Sequence, residues 1–139
     1  SPSEEKQLGE QAWQQIKSKE KETKNREYSD AVERVGHNIA AVANPPDFQW
    51  EFKTFESKQA NAFCLPGGKV AVYTEIFKYM AYDAELAAVM GHEVGHAIAR
   101  HGGERISQEQ ACLSFLCIGF QGMVFHPYFF CCMNYGKSV

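Results

Sequence analysis

The last 29 of the 139 residues have almost no charge: 30 of the 31 Asp, Glu, Lys and Arg residues fall within 1–110, and only Lys137 follows. The chain as a whole lacks a basic excess, with a net charge of -3, so it carries no electrostatic footprint for nucleic acid. It also lacks a run of about 18 clean apolar residues, because Gly119, Gln121, Gly122, His126 and Pro127 interrupt the apolar tail, so no clear membrane-spanning helix is expected. An even cysteine set is missing: four of the five (Cys112, Cys117, Cys131, Cys132) sit in that tail, which argues against a disulfide framework. Ser1 stands where an initiator Met would, and no apolar signal core follows, which reads as a processed chain or an excised piece. What remains is 45% hydrophobic, enough for a globular core and outside the disordered class.

The order of elements can be read from periodicity. Leu8, Ala12 and Ile16 recur every four residues beside Trp13, predicting a helix over 4–22 that runs into the charge-rich stretch Lys17 to Arg26, expected as a solvated helix face. Asp30 is the expected N-cap of a second helix with the stripe Val32, Val35, Ile39 and Val42, stopped by Asn44-Pro45-Pro46. At Phe48 the period changes to two, and Phe48, Trp50 and Phe52 predict a half-buried strand. Leu65-Pro66-Gly67-Gly68 has Pro at the second position of a turn and Gly for positive φ, so Ala62–Leu65 and Lys69–Thr74 should form a hairpin.

A third helix is expected from Asp83 as N-cap, with Glu85 in its first turn, to about His101, where Gly102-Gly103 ends it. Its residues are nearly all apolar, which predicts a buried core helix. Gly91 and Gly95 lie inside it, each costing about 1 kcal/mol against Ala, and this suggests the close approach of another backbone or a ligand.

Within that helix the chain reads His92-Glu93-Val94-Gly95-His96. Residues four apart stand on one face, so both imidazoles can meet one Zn²⁺ at about 2.0–2.1 Å, with Glu93 beside them as a general base for water. Zinc would acidify that water and polarise a scissile carbonyl, giving peptide hydrolysis with no covalent intermediate. A chance H-E-x-x-H in this composition has a probability of only about 2%, and two histidines and a glutamate are expensive to bury on an apolar helix without a partner.

The other candidates read more plainly. His101 lies nine residues after His92, where the metzincin pattern needs ten, and is read as a C-terminal helix residue. Glu75 is expected to be an exposed carboxylate, Tyr73 a half-buried aromatic, Cys64 a small buried residue and His37 a surface or satisfied histidine.

Together, Leu8-Gly9-Glu10-Gln11, Asn61-Ala62-Phe63-Cys64-Leu65-Pro66-Gly67-Gly68, the strand Val70 to Thr74, Gly91 to His96 and Arg100-His101-Gly102 resemble the HtpX-type gluzincin metalloendopeptidases, most closely the soluble periplasmic and lipoprotein branch. The resemblance implies a zincin-like α+β fold, with helices on a small, mostly antiparallel sheet. It makes His92 and His96 ligands of one Zn²⁺ per chain and Glu93 the general base. It further implies that Asn61, Ala62, Phe63, Cys64 and Leu65 form an edge strand to which unfolded or extended protein segments add by backbone hydrogen bonds. Such a protease belongs to protein quality control, in the periplasm or at the membrane of the cell envelope. Cys64 and Glu75 depart from the small residues typical of the family there.

A larger departure concerns the third ligand, a Glu that the family supplies about sixty residues beyond the motif. No Asp or Glu follows Glu109 here, which predicts an incomplete site. Glu104 and Glu109 follow closely after the Gly-Gly break, whereas His126, Cys131 and Cys132 have zinc-binding chemistry. Residues 1–110 are therefore read as the N-terminal part of a metallopeptidase domain. Residues 111–139 are read as an aberrant or truncated tail, a membrane-associated segment or an ordinary buried helix over Ala111 to Phe125. The alternative function is a non-catalytic peptide-binding or chaperone-like module that keeps the edge strand.

Overall fold

Helix, helix, strands and helix follow one another as the periodicity predicts, in a computed structural model that describes residues 1–43, 45 and 47–99. The first helix, α1 (Pro2–Lys19), starts on the Ser1 cap, whose hydroxyl accepts the Glu4 N–H. It ends three residues earlier than expected, because the chain beyond it serves as sheet rather than helix. Glu22 bridges Phe55 in antiparallel fashion, the Thr23 N–H donates to the Thr54 carbonyl at 2.8 Å, and the Glu56 N–H donates to the Lys21 carbonyl at 2.7 Å. Backbone pairing here outweighs the helical propensity of a Lys- and Glu-rich run.

The second helix, α2 (Arg26–Ala43), begins before Asp30, which lies inside it. Asn25 takes the capping role, its side-chain oxygen accepting the Glu27 N–H at 3.0 Å. Val32, Val35 and Gly36 are buried along its inner face, while Val42 at the far end is 89% exposed. Gly36 sits directly on the Phe52 ring, and a Cβ there would overlap it.

Strands β1 (Glu51–Phe55), β2 (Ala62–Leu65) and β3 (Lys69–Tyr73) form a sheet in the order β1-β3-β2. The expected hairpin is present: β2 and β3 are antiparallel with Ala62 opposite Val72, and the turn places Gly67 and Gly68 at φ 94° and 91°. The mostly antiparallel expectation needs correction, since β1 pairs β3 in parallel from Glu51 opposite Lys69 to Phe55 opposite Tyr73. Of the two strand-to-strand ladders among the described residues one is of each kind, with the Glu22–Phe55 bridge adding a further antiparallel contact at the outer side of β1. Phe48 and Trp50 precede β1 and stack toward Phe52, with Trp50 parallel to it at 5.9 Å.

Alternation divides the core into two faces. Phe63, Leu65, Ala71 and Phe55 pack against Trp13 of α1. Phe52, Ala62, Cys64, Val70 and Val72 pack on the other face against α2 and α3 (Asp83–Ala99), with Ile76 from the short 3-10 helix Thr74–Tyr79. The architecture is thus mixed α+β, with helices on both sides of a three-stranded sheet.

Candidate functional site

Helix α3 starts on a cap different from the one predicted. Glu85, in its first turn, accepts the backbone N–H groups of Ala81 and Tyr82, whereas Asp83 turns outward to a bidentate pair with Arg34 of α2 at 2.9 and 3.0 Å. The helix lies over β2, while α2 lies over β1, so the two helices are neighbours along the sheet.

Three flanks of α3 then have separate environments. Leu86, Met90, Val94 and Ala97 face the sheet and are buried. Ala84, Ala87, Gly91, Gly95 and Ile98 face α2 across a groove of about 530 Å³. At about 100° per residue, His92 and His96 fall on neither of these flanks but on the side away from α2, with Glu93 between them and the sheet-facing stripe. That side looks out past β2, the edge strand.

The apolar composition predicts an enclosed helix, but Ala88, His92, Gly95 and Ala99 are exposed, and Glu93 and His96 are half-buried. The close approach expected at the helix glycines is also missing there, since a Cβ on Gly91 or Gly95 would meet nothing within 4 Å.

The two imidazoles converge. His92 Nε2 and His96 Nε2 are 2.9 Å apart, with ring centroids at 4.4 Å and ring planes at 83°. Two nitrogens bound at about 2.0–2.1 Å to one tetrahedral zinc stand about 3.3 Å apart, so a spread of about 0.4 Å would fit this pair to the metal. Their donor chemistry also fits, because neutral imidazole is a strong zinc ligand. Among the described residues, no group of three His, Cys, Asp or Glu side chains gathers around a common point. Glu104, Glu109, His126, Cys131 and Cys132 lie outside the described residues, as does His101.

The predicted edge residues lie in β2 and just before it. Asn61 is buried, its side-chain oxygen accepting the Ala62 N–H at 2.8 Å and its carbonyl accepting the Tyr73 N–H at 2.9 Å. Ala62 and Cys64 point to the α3 side, Phe63 and Leu65 to the α1 side. Cys64 is a buried thiol, as expected, and His37 is exposed beside Glu33. Glu75 differs from its expected exposure: it is half-buried and pairs with Lys78 at 2.8 Å, which raises the Lys78 pKa through that hydrogen bond.

An α+β unit whose H-E-x-x-H helix rests on the edge strand of a small sheet defines a class, the metallopeptidases. Within that class the chain belongs to Peptidase family M48, whose sequence model matches residues 27–128. It is 45% identical over 69 residues to the mitochondrial metalloendopeptidase OMA1 of Arabidopsis thaliana, covering 50% of this chain and 14% of that one. The OMA1 of Schizosaccharomyces pombe is 41% identical over 87 residues, 61% of this chain and 26% of the relative. The beta-barrel assembly-enhancing protease of Yersinia pestis is 28% identical over 93 residues, 67% and 19% respectively. The chain thus spans about a quarter or less of the length of these relatives.

Proposed function

We propose that this chain carries the zinc-binding and proton-transfer half of a metalloendopeptidase site. His92 and His96 hold the zinc, one per chain, and Glu93 is the general base. The observation that carries this reading is the convergence of the two Nε2 atoms at 2.9 Å beside the edge strand. Zinc supplies Lewis acidity when bound, toward water and toward a carbonyl oxygen. Glu93 accepts the proton of the attacking water and returns it to the leaving amine. The segment Asn61 to Leu65 aligns an extended substrate by backbone hydrogen bonds, which suits unfolded segments and tolerates many sequences.

Residues 110–139 contain no carboxylate, so these 139 residues on their own are proposed to hold zinc mainly through the two histidines, with binding weaker than in a three-ligand protease and little or no hydrolysis. Metal analysis of the purified protein, paired with cleavage of an unfolded casein-like substrate, tests this. Substoichiometric zinc and negligible turnover are expected; full activity that Glu93→Gln abolishes would overturn the incomplete shell. The position of β2 at the end of the sheet also supports a second reading, a non-catalytic peptide-binding module. Peptide binding that survives both a chelator and Glu93→Gln, with no turnover, distinguishes it.

Among the described residues no helix is long and apolar enough to cross a membrane. The OMA1 relatives quoted above, at 45% and 41%, lie nearer than the beta-barrel assembly-enhancing proteases, at 26% to 34%. This favours a mitochondrial setting over the bacterial cell envelope.

A further inference from the structure

Backbone hydrogen bonds along β2 do not discriminate between side chains, so any preference comes from what stands on either side of the strand. A segment added beside β2 continues the pleat and turns its side chains alternately to the α3 face and to the α1 face. On the α3 face they meet the flank that carries His92 and His96. On the α1 face they come beside Phe63 and Leu65, which pack toward Trp13, and beside whatever α1 places at the edge. The course of α1 decides what that is. The helix lies over β3, the central strand. Gly9 rests on the Pro66 carbonyl, in the turn that follows β2, and a Cβ there would overlap it. Trp13 lies over Phe55, Phe63, Leu65 and Ala71, so Gly9 and Trp13 mark the side of α1 that faces the sheet. Glu10, about 100° further round, and Lys17 turn to the flank that reaches Lys69 of β3 and Glu51 of β1. Leu8 and Ala12, each one residue before a sheet-facing one, fall about 100° to the opposite side and so face β2.

Leu8 is 36% exposed, one of four exposed large hydrophobic residues among the described residues, and it stands outside both core clusters. It lies next to Gly9 and hence level with Pro66, at the Leu65 end of β2. With no side chain on Gly9, α1 settles onto the turn and brings Leu8 down beside the strand. We propose that Leu8 forms, with Ala12, Phe63 and Leu65, an apolar subsite on the α1 side of the β2 edge, which takes an aliphatic side chain of the bound segment. This subsite rests on the reading of Asn61 to Leu65 as the aligning strand. It narrows the substrate class from any extended chain to unfolded segments with apolar residues at alternate positions, the pattern of a half-buried strand that unfolding has released. Leu8 is then a specificity-determining residue: partial burial of one aliphatic side chain against it favours leucine over a small polar residue by about fivefold.

Fluorescence anisotropy of labelled threonine-based peptides, carrying leucine, serine or lysine at two alternate positions, tests the subsite on the full chain in EDTA, which prevents turnover. Wild type should bind the leucine peptide about fivefold more tightly than the serine peptide. Leu8→Glu should erase that margin and bind the lysine peptide more tightly than wild type does, a change of preference that a loss of packing alone would not produce. Glu and Leu are similar helix formers and the position is exposed, so the melting temperature of the variant should stay within about 2 °C of wild type. Gln11→Glu, on the side of α1 away from the sheet, adds the same charge and should leave the ranking of the peptides unchanged. If wild type binds the leucine and serine peptides equally, if Leu8→Glu keeps the wild-type ranking, or if Gln11→Glu alters it as much as Leu8→Glu does, the Leu8 subsite is overturned while the aligning strand stands. If wild type binds none of the three peptides, the aligning strand itself fails and the subsite with it.

Discussion

On the α1 face of the sheet, Trp13 is fully buried and meets Phe55 edge-on at 6.0 Å, and Gly9 lets the helix backbone rest on the Pro66 carbonyl. On the opposite face, α2 and α3 stand apart over a groove of about 530 Å³ and leave His92 and Gly95 exposed. The first face is closed by one large aromatic; the second keeps open the helix that carries the histidines. The buried Trp13 cluster and the converging histidine pair therefore lie on opposite sides of one sheet only five residues long at its widest. This division makes the two faces respond differently to substitution.

The largest effect is expected at the centre of the closed face. Trp13→Ala removes a fully buried side chain from among Phe55, Phe63, Leu65 and Ala71 and should cost about 3–5 kcal/mol, read as a lower denaturant midpoint. A loss below about 1 kcal/mol would mean that the α1 face contributes little and would erase the contrast.

A smaller effect belongs to the polar rim of that face. Lys17 reaches Glu51 at 3.2 Å, and Lys69 lies 3.5 Å from Glu51 and 3.7 Å from Glu10. Burial pushes the Glu51 carboxyl up, but the Trp13 indole, Lys17 and Lys69 outweigh it and hold it below the ordinary carboxylate value. The Trp13 N–H makes no hydrogen bond of regular geometry among the described residues, so its part is the nearby positive end of a dipole. A carboxyl depressed in the folded state binds fewer protons there than in the unfolded chain. Its contribution is present above about pH 4.3 and lost as pH falls through the lowered value. With both side chains of the Lys17 pair 30% exposed, that contribution is about 0.5–1 kcal/mol. Glu51→Gln should flatten the acid side of the stability profile by this amount; an unchanged profile would remove Glu51 from the rim's energetics.

The sequence makes these two faces legible to different degrees. The hairpin and its turn are readable in Ala62 to Tyr73 because glycine at positive φ and period-two alternation are local signals. The partners of a strand are not local: nothing in Glu51–Phe55 shows that it runs parallel to β3, and nothing in Lys21–Thr23 shows that it leaves the helix to pair with β1. Helix caps are ambiguous in the sequence for a related reason. Asp30 and Asp83 have the right chemistry, but Asn25 lies one residue before α2, and Arg34 draws Asp83 away from a cap. His92, Glu93 and His96 were readable because a four-residue helical spacing is itself a geometry. The apolar composition of α3 does not translate into full burial among the described residues, because the helix lies beside a groove and a strand at the end of the sheet.

The smallest stability effect, and the sharpest form of the contrast, is expected at His92. It is exposed on α3, so His92→Ala should change stability by less than about 0.5 kcal/mol, and the better helix propensity of Ala acts against even that loss. The same substitution removes one of the two converging nitrogens and should abolish whatever zinc the wild-type protein retains after dialysis, measured by metal analysis. Trp13→Ala would do the reverse, lowering stability while leaving both imidazoles in the chain. Should His92→Ala instead destabilise as much as Trp13→Ala in metal-free buffer, the histidine pair would be part of the core, and the contrast between it and the Trp13 cluster would fail.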